Sequence, residues 1–310
     1  MSKDLEYWLS RAIDRDNLDK ERENKLLKEL FALYEEAYKD TQEKLYAFYV
    51  KYGDEKGLSY KDAKKSLQAI ELKECSNRIR RLSDLKKNID TSTPYGRERA
   101  KQIQKEIQLL RSRGVVTREM ALMDSINEKW IEVAYKIDKK LGDLVKETYK
   151  REYQDSLKEA GVSKIMISDK TMESAILVPT FGEHFSERVW KNKDKIVTFA
   201  RTEIRKGLVE GTNVRKTAKK LQNQLGATEY EAMRLVVTEN AIARTNGSLE
   251  GYRESRVVQY VTVITVGDKK TCPDCQDLDG ERIPLSEAIV GVNVPPLHPK
   301  CRCAVAPYFE

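Results

Sequence analysis

The spacing of apolar residues over the first half of the chain is the strongest constraint on its fold. Leu27, Leu30, Phe31, Tyr34, Tyr38, Leu45, Phe48 and Tyr49 recur three and four positions apart, with charged residues between them. That period matches an α-helix carrying one apolar stripe, so Lys3 to Tyr52 is predicted to be helical. Gly53 and Gly57 end the run, and Ser59 opens another helix with Ala63, Leu67, Ile70 and Leu72 on its apolar side. A polar break from Asp90 to Gly96 precedes a helix at about 97–113, which Gly114 stops. A longer helix is expected from about Thr117 to Ala160, with Met120, Met123, Ile126, Trp130, Val133, Ile137, Leu141, Leu144 and Val145 as its stripe. Met and aromatic residues in such stripes serve helix–helix contacts rather than cofactor pockets. Charged residues are 35% of the chain against 40% hydrophobic, with few Gly and Pro, a balance that suits long solvated helices better than sheets.

Between Gly161 and Gly182 the periodicity fades, and Pro179 and Gly182 mark a loop. Helices resume at about 186–209, 213–225 and 228–250. Thr212 or Asn213 is placed to cap the second, and Thr228, three residues before Glu231, to cap the third as a capping box. After Tyr252 the pattern changes. Val257 to Val266 is a β-branched run of strand length, turned by Gly267-Asp268, and short strands are expected at Glu281–Leu285 and Arg302–Phe309. The fold class is therefore mainly α: an elongated helical region (1–165), a linker or loop (166–185), a basic helical region (186–252) and a small α+β C-terminal module (253–310). That last module is β-rich, with a short antiparallel sheet and a Cys/His metal site.

The cysteines give the module its chemistry. Four of the five crowd into residues 272–303, in the spacing C-x2-C-x22-H-x2-C-x-C. Two close pairs of soft ligands joined by a hairpin are what a tetrahedral Zn²⁺ needs, because two intervening residues let one tight turn aim both side chains at one ion. Cys272, Cys275, His298 and Cys301 are the preferred quartet, with Cys303 the alternative fourth ligand. If Arg302 lies in a strand, Cys301 and Cys303 project to the same face. The competing readings are a disulfide formed late in an extracellular particle, or a set of buried thiols. A filled four-ligand site is structural, since no position is left for water, and it would staple a module of about 60 residues that is short of core. Cys75 stands alone among helical residues as a small packing residue.

The formal charge of +7 is concentrated. Residues 187–220 hold eleven Lys or Arg against four Asp or Glu. The cations are Arg188, Lys191, Lys193, Lys195, Arg201, Arg205, Lys206, Arg215, Lys216, Lys219 and Lys220. Such an excess could meet the phosphates of double-stranded DNA without sequence preference, or form a solvated helix face. Trp190 within it suits packing better than base stacking. No apolar run reaches the roughly 18 residues that span a bilayer. Met1 to Leu5 has no signal-peptide core, so a cytoplasmic protein is expected, with no membrane partner and no small-molecule substrate.

Enzymatic signatures are poor. Zinc deaminases pair H-x-E with P-C-x-x-C, whereas here Thr271 precedes Cys272 and Pro299-Lys300 follows His298. A metal nuclease would need a second His or a carboxylate beside His298, where the neighbours are apolar or basic. Asp268, Asp274, Asp277 and Asp279 near the first Cys pair fit turn-forming roles. There is no P-loop and no dinucleotide fingerprint. The chain is expected not to be an enzyme, with a metal-dependent nuclease as the least favoured alternative.

The order G-D-K-K-T-C-P-D-C-Q-D-L-D-G followed by P-P-L-H-P-K-C-R-C resembles the C-terminal module of the phage Mu F-like head-morphogenesis family. The matching positions are Asp268, Cys272, Cys275, Gly280, His298, Pro299, Cys301, Arg302 and Cys303. Upstream, Trp8 and Arg11 in Y-W-L-S-R-A look like the start of members from phages of Gram-positive bacteria. The stretches His184 to Lys193 and Thr238 to Gly247 are similar to their central segment and to the helix before the metal module. The resemblance implies a minor head protein of a tailed phage, at low copy inside or at the base of the head. It implies association with the portal protein and other head proteins during capsid assembly, and a part for some members in DNA binding, packaging or ejection. The implied locations are the virion head interior or portal region, and the host cytoplasm during assembly.

Overall fold

The long apolar stripes fold as long helices. In the computed structural model, which describes residues 5–53, 57–163, 165–265 and 271–309, α1 spans Leu5–Tyr52 and α5 spans Arg118–Glu159. The stripe residues Leu27, Leu30, Tyr34, Tyr38, Leu45 and Phe48 of α1 are buried, as are Met123, Ile126, Trp130, Val133, Ile137, Leu141, Leu144 and Val145 of α5. The remaining helices are α2 (Tyr60–Ala63), α3 (Ala69–Lys87), α4 (Pro94–Arg111), α6 (Asp169–Ile176), α7 (Phe185–Val209), α8 (Val214–Asn223), α9 (Leu225–Ser255) and α10 (Pro273–Asp277). Strands β1 (Tyr260–Ile264), β2 (Arg282–Pro284) and β3 (Ala304–Tyr308) form an antiparallel sheet in the order β2-β1-β3. The fold is mainly α with a small antiparallel sheet near the C-terminus, as the periodicities indicate. No helix among the described residues is long and apolar enough to cross a membrane.

Local chemistry moved several boundaries. Ser59 caps α2, its hydroxyl accepting from the Asp62 N–H, but the helix lasts one turn and a second start at Gln68 opens α3 through a capping box with Glu71. Residues 166–185 are not only a connection: Ser168 accepts from the Thr171 N–H and starts α6. Asn213 caps α8 through the Arg215 N–H. Thr228 caps nothing. Its N–H already donates to the Gln224 carbonyl, and its hydroxyl, which donates to that same carbonyl, lies 2.9 Å from the Tyr38 hydroxyl. The reason is that α9 begins at Leu225, directly after α8. The strand expected from Val257 is shorter, since Val257 is exposed and pairing starts at Tyr260; Val266 and the Gly267-Asp268 turn lie outside the described residues.

The chain forms two compact units, each drawn from separated stretches: 1–28, 140–185 and 232–310 in one, 29–139 and 186–231 in the other. Within the second unit, Trp130 packs edge-on against Tyr38 and donates its indole N–H to the Thr41 hydroxyl. Asp138 is its buried polar centre, accepting from Ser186 Oγ at 2.9 Å, Trp190 Nε1 at 2.9 Å and Tyr95 OH at 2.6 Å. Trp190 is thus a packing residue.

Within the first unit, α9 lies so close to α5 that only glycine fits at two successive turns. A Cβ at Gly247 would stand 2.5 Å from the Tyr149 carbonyl oxygen, and one at Gly251 2.5 Å from that of Tyr153. Buried acids tie α1 in. Arg15 bonds Glu159 at 2.6 Å and Glu152 at 3.3 Å, Arg11 also reaches Glu159, and Tyr252 OH donates to Glu159 at 2.6 Å. Trp8 packs on Ile264 and Ala306 of the sheet. The Trp and Arg of the N-terminal motif are therefore docking residues, one apolar and one ionic.

Candidate metal centre

The first half-site is the opening turn of α10. Cys272 is the N-cap, Pro273 supplies the fixed φ of the first turn, and Cys275 is carried inward, 1% exposed. Gly280, at φ +78°, ends the following turn and donates its N–H to Val263, which returns the chain to the sheet as β2. Asp279 accepts from the Thr265 N–H at 2.8 Å, a turn role of the kind expected for the acids here; Asp268 lies outside the described residues. The second half-site is a tight turn in which the Cys301 N–H donates to the His298 carbonyl at 3.2 Å. Lys300 adopts the left-handed conformation at φ +62°, which costs a residue with a β-carbon on the order of 1 kcal/mol.

The structure places the five sequence-identified ligands in two adjoining groups of three that share Cys275. Cys272, Cys275 and His298 form one group, and Cys275, Cys301 and Cys303 another, with donor atoms within 4.8 Å of one another in each. The individual separations are 3.2 Å for Cys272 Sγ to His298 Nε2, 3.5 Å for Cys275 Sγ to the same nitrogen and 3.7 Å for Cys275 Sγ to Cys301 Sγ. None of the cysteines is in a disulfide. Strand β3 starts at Ala304, so Arg302 precedes it, yet Cys301 and Cys303 both reach Cys275. His298 Nδ1 lies 2.9 Å from the Pro299 carbonyl oxygen. A carbonyl only accepts, so this contact puts the ring proton on Nδ1 and turns the Nε2 lone pair toward the thiols.

Crowded thiols share their protons unequally. A hydrogen bond from Cys303 pulls the Cys301 thiol down to about 5 against the opposing effect of burial, so Cys301 ionises first. Burial, with Cys272 and the Cys301 charge beside it, pushes Cys275 up to about 12. Cys303 is raised because its proton is held by Cys301. Without a cation, one thiolate suppresses the next. A metal ion inverts this by favouring every thiolate at once, so the cluster could hold a metal.

The basic segment is divided by the fold. Lys191, Lys195, Arg201, Arg205, Lys206, Arg215, Lys216, Lys219 and Lys220 are exposed and Arg188 is half-buried. Lys193 is different: it is 4% exposed, with its Nζ 2.5 Å from Glu106. It lies on the inward side of α7 beside Val189, Ile196 and Val197, where a lysine needs an acid partner, so it contributes no outward charge. Arg205 pairs with Glu119 and Lys220 with Glu203. Sequence reasoning missed the buried acids Asp138, Glu152 and Glu159 and gave no role to Thr238, whose hydroxyl accepts from the Lys300 N–H at 3.2 Å.

Comparison with known proteins places this centre in a family context. Residues 199–306 match the family of Phage Mu protein F like proteins. A curated relative, the NAD(+)–arginine ADP-ribosyltransferase EFV of Enterococcus faecalis, is 24% identical over 130 residues, 41% of this chain and 26% of that protein. The chain thus spans about a quarter of the length of the curated relative it matches. No solved structure matches. The matched segment runs from within α7 through α8 and α9 to β3 and holds all five candidate ligands, so over that segment the chain is similar to the Phage Mu protein F like family.

Proposed function

We propose that this chain is a minor head protein of a tailed bacteriophage, a non-enzymatic component of head morphogenesis that associates with the portal and other head proteins. The carrying observation is the family match over 199–306, the segment that contains the metal cluster. Its metal is a structural zinc. With Zn–S near 2.3 Å and Zn–N near 2.0–2.1 Å, tetrahedral angles put two sulfurs about 3.8 Å apart and sulfur and nitrogen about 3.5 Å apart. The Cys275–Cys301 and Cys275–His298 separations of 3.7 and 3.5 Å match those edges, and Cys272–His298 at 3.2 Å is slightly shorter. We favour Cys272, Cys275, His298 and Cys301 as the quartet, with Cys303 the alternative fourth ligand; Cys301, which groups with Cys275 and Cys303, then closes on Cys272 and His298 around the ion. Four protein donors leave no site for a reacting water, so the ion braces the module of residues 253–310. Deleting the gene from its phage is expected to lower the yield of filled heads or their infectivity, restored by supplying the chain in trans. Particles of normal yield and infectivity would overturn the reading.

A second role, non-specific binding to packaged DNA with an effect on packaging or ejection, is favoured by α8. Its Thr217, Ala218 and Leu221 are buried, while Arg215, Lys216, Lys219 and Lys220 are exposed. Binding to double-stranded DNA should weaken steeply with salt. Ala at Arg215, Lys216 and Lys219 should reduce the log–log salt slope by roughly 0.9 for each phosphate that the variant no longer neutralises. Salt-insensitive binding, or none, would end this role.

A further inference from the structure

We propose that Thr238 is a positioning residue for the metal centre: its hydroxyl, fixed on α9, sets the place of the second half-site through the Lys300 amide. The inference rests on the reading of the Cys/His cluster as a metal site.

Three observations carry it. The residue before Cys301 is in the left-handed region at φ +62°, so the turn that aims this thiol is not one that lysine adopts by its own preference. Its N–H donates across to Thr238 Oγ1 at 3.2 Å. Thr238 Oγ1 in turn donates its proton to the Arg234 carbonyl at 2.6 Å, one turn back in α9, which fixes the hydroxyl and leaves its lone pairs to accept. The chain of bonds therefore runs from the helix backbone, through one hydroxyl, to the peptide adjoining a metal-ligating cysteine. Thr238 is 6% exposed, so water cannot readily take the place of that hydroxyl.

A valine at this position keeps the shape and removes the acceptor. The Lys300 amide then loses its partner, the turn is free to relax toward an ordinary φ, and Cys301 Sγ moves off the 3.7 Å separation from Cys275. Outer-shell partners of this kind shift metal affinity on the order of ten-fold or more when removed.

The test uses the full chain loaded with zinc, and in parallel with cobalt. Wild type should carry one zinc per chain. Thr238→Val should release zinc to a chromogenic chelator on the order of ten-fold faster. It should also shift the cobalt d–d bands, and Thr238→Ser, which restores the hydroxyl, should return both to wild-type behaviour. A merely structural role in α9 would lower the melting temperature while leaving the release rate and cobalt spectrum unchanged, and that result overturns the proposal. Amide exchange of Lys300 in loaded wild type gives an arm that does not depend on the variant folding: protection is expected, and exchange at the rate of an exposed amide overturns it. A wild-type chain that takes up no metal overturns the metal reading itself and this inference with it. Metal content measured first therefore separates that failure from a failure of Thr238 alone.

Discussion

The three side chains that bond Asp138 (Tyr95, Ser186 and Trp190) are neutral donors. Burial holds its carboxyl above the ordinary range against the opposing pull of those bonds. The folded state therefore keeps a proton that the unfolded chain releases, so Asp138 makes stability fall as pH rises from the ordinary value near 4 through the raised one. In Asp138→Asn the amide can still accept from Trp190 and Ser186 and donate to Tyr95, and it does not titrate. The unfolding free energy of wild type relative to this variant should decline by up to about 1.4 kcal/mol per pH unit within that window, as urea melts between about pH 4 and pH 7 would record. Parallel pH curves would refute it. Asp138 was hard to find because its partners lie at residues 95, 186 and 190, far away along the sequence. One signal was present. Ile131, Ala134, Leu141 and Val145 form a buried row on α5, and Asp138 stands inside that row, as Thr148, Glu152 and Ser156 stand in its continuation. A polar residue inside an apolar row needs a partner, and reading the row rather than the stripe would have flagged it.

For the elements, periodicity carried most of the information. The long helices, the strands and the Cys/His cluster that could hold a metal were legible because each rests on a pattern of residues close in sequence. Thr228 and the α8–α9 junction were not, because the capping-box pattern is local while the helix start was decided by the turn at Gln224. The contact of α9 with α5 was equally silent in the sequence, since a glycine in a helix reads first as a weak point. Here it has a definite sign. In open space Gly251→Ala would stabilise the helix by about 1 kcal/mol. Against the Tyr153 carbonyl, with Ser156 Cβ also at 2.8 Å, the added methyl must push the helices apart. Gly251→Ala should therefore destabilise by about 1–3 kcal/mol in chemical denaturation, and a more stable variant would refute the close approach.

On the scale of the whole molecule, the sequence is read in order and the two units are not built in order. Residues 1–28 and 232–310 belong to one unit, with a stretch of the other between them, and no periodicity along the chain encodes such a partition. The N-terminal motif takes part in this closure, since Arg11 reaches Glu159, 148 positions later. That arrangement also fixes the timing of folding. Trp8 finishes its packing on Ala306, and at about 5–20 residues per second a ribosome needs roughly 15–60 s to travel between them. Until β3 is made, the indole at the start of α1 lacks part of its cover. A chain stalled before β3 leaves the unit open, with hydrophobic surface that chaperones and proteases recognise.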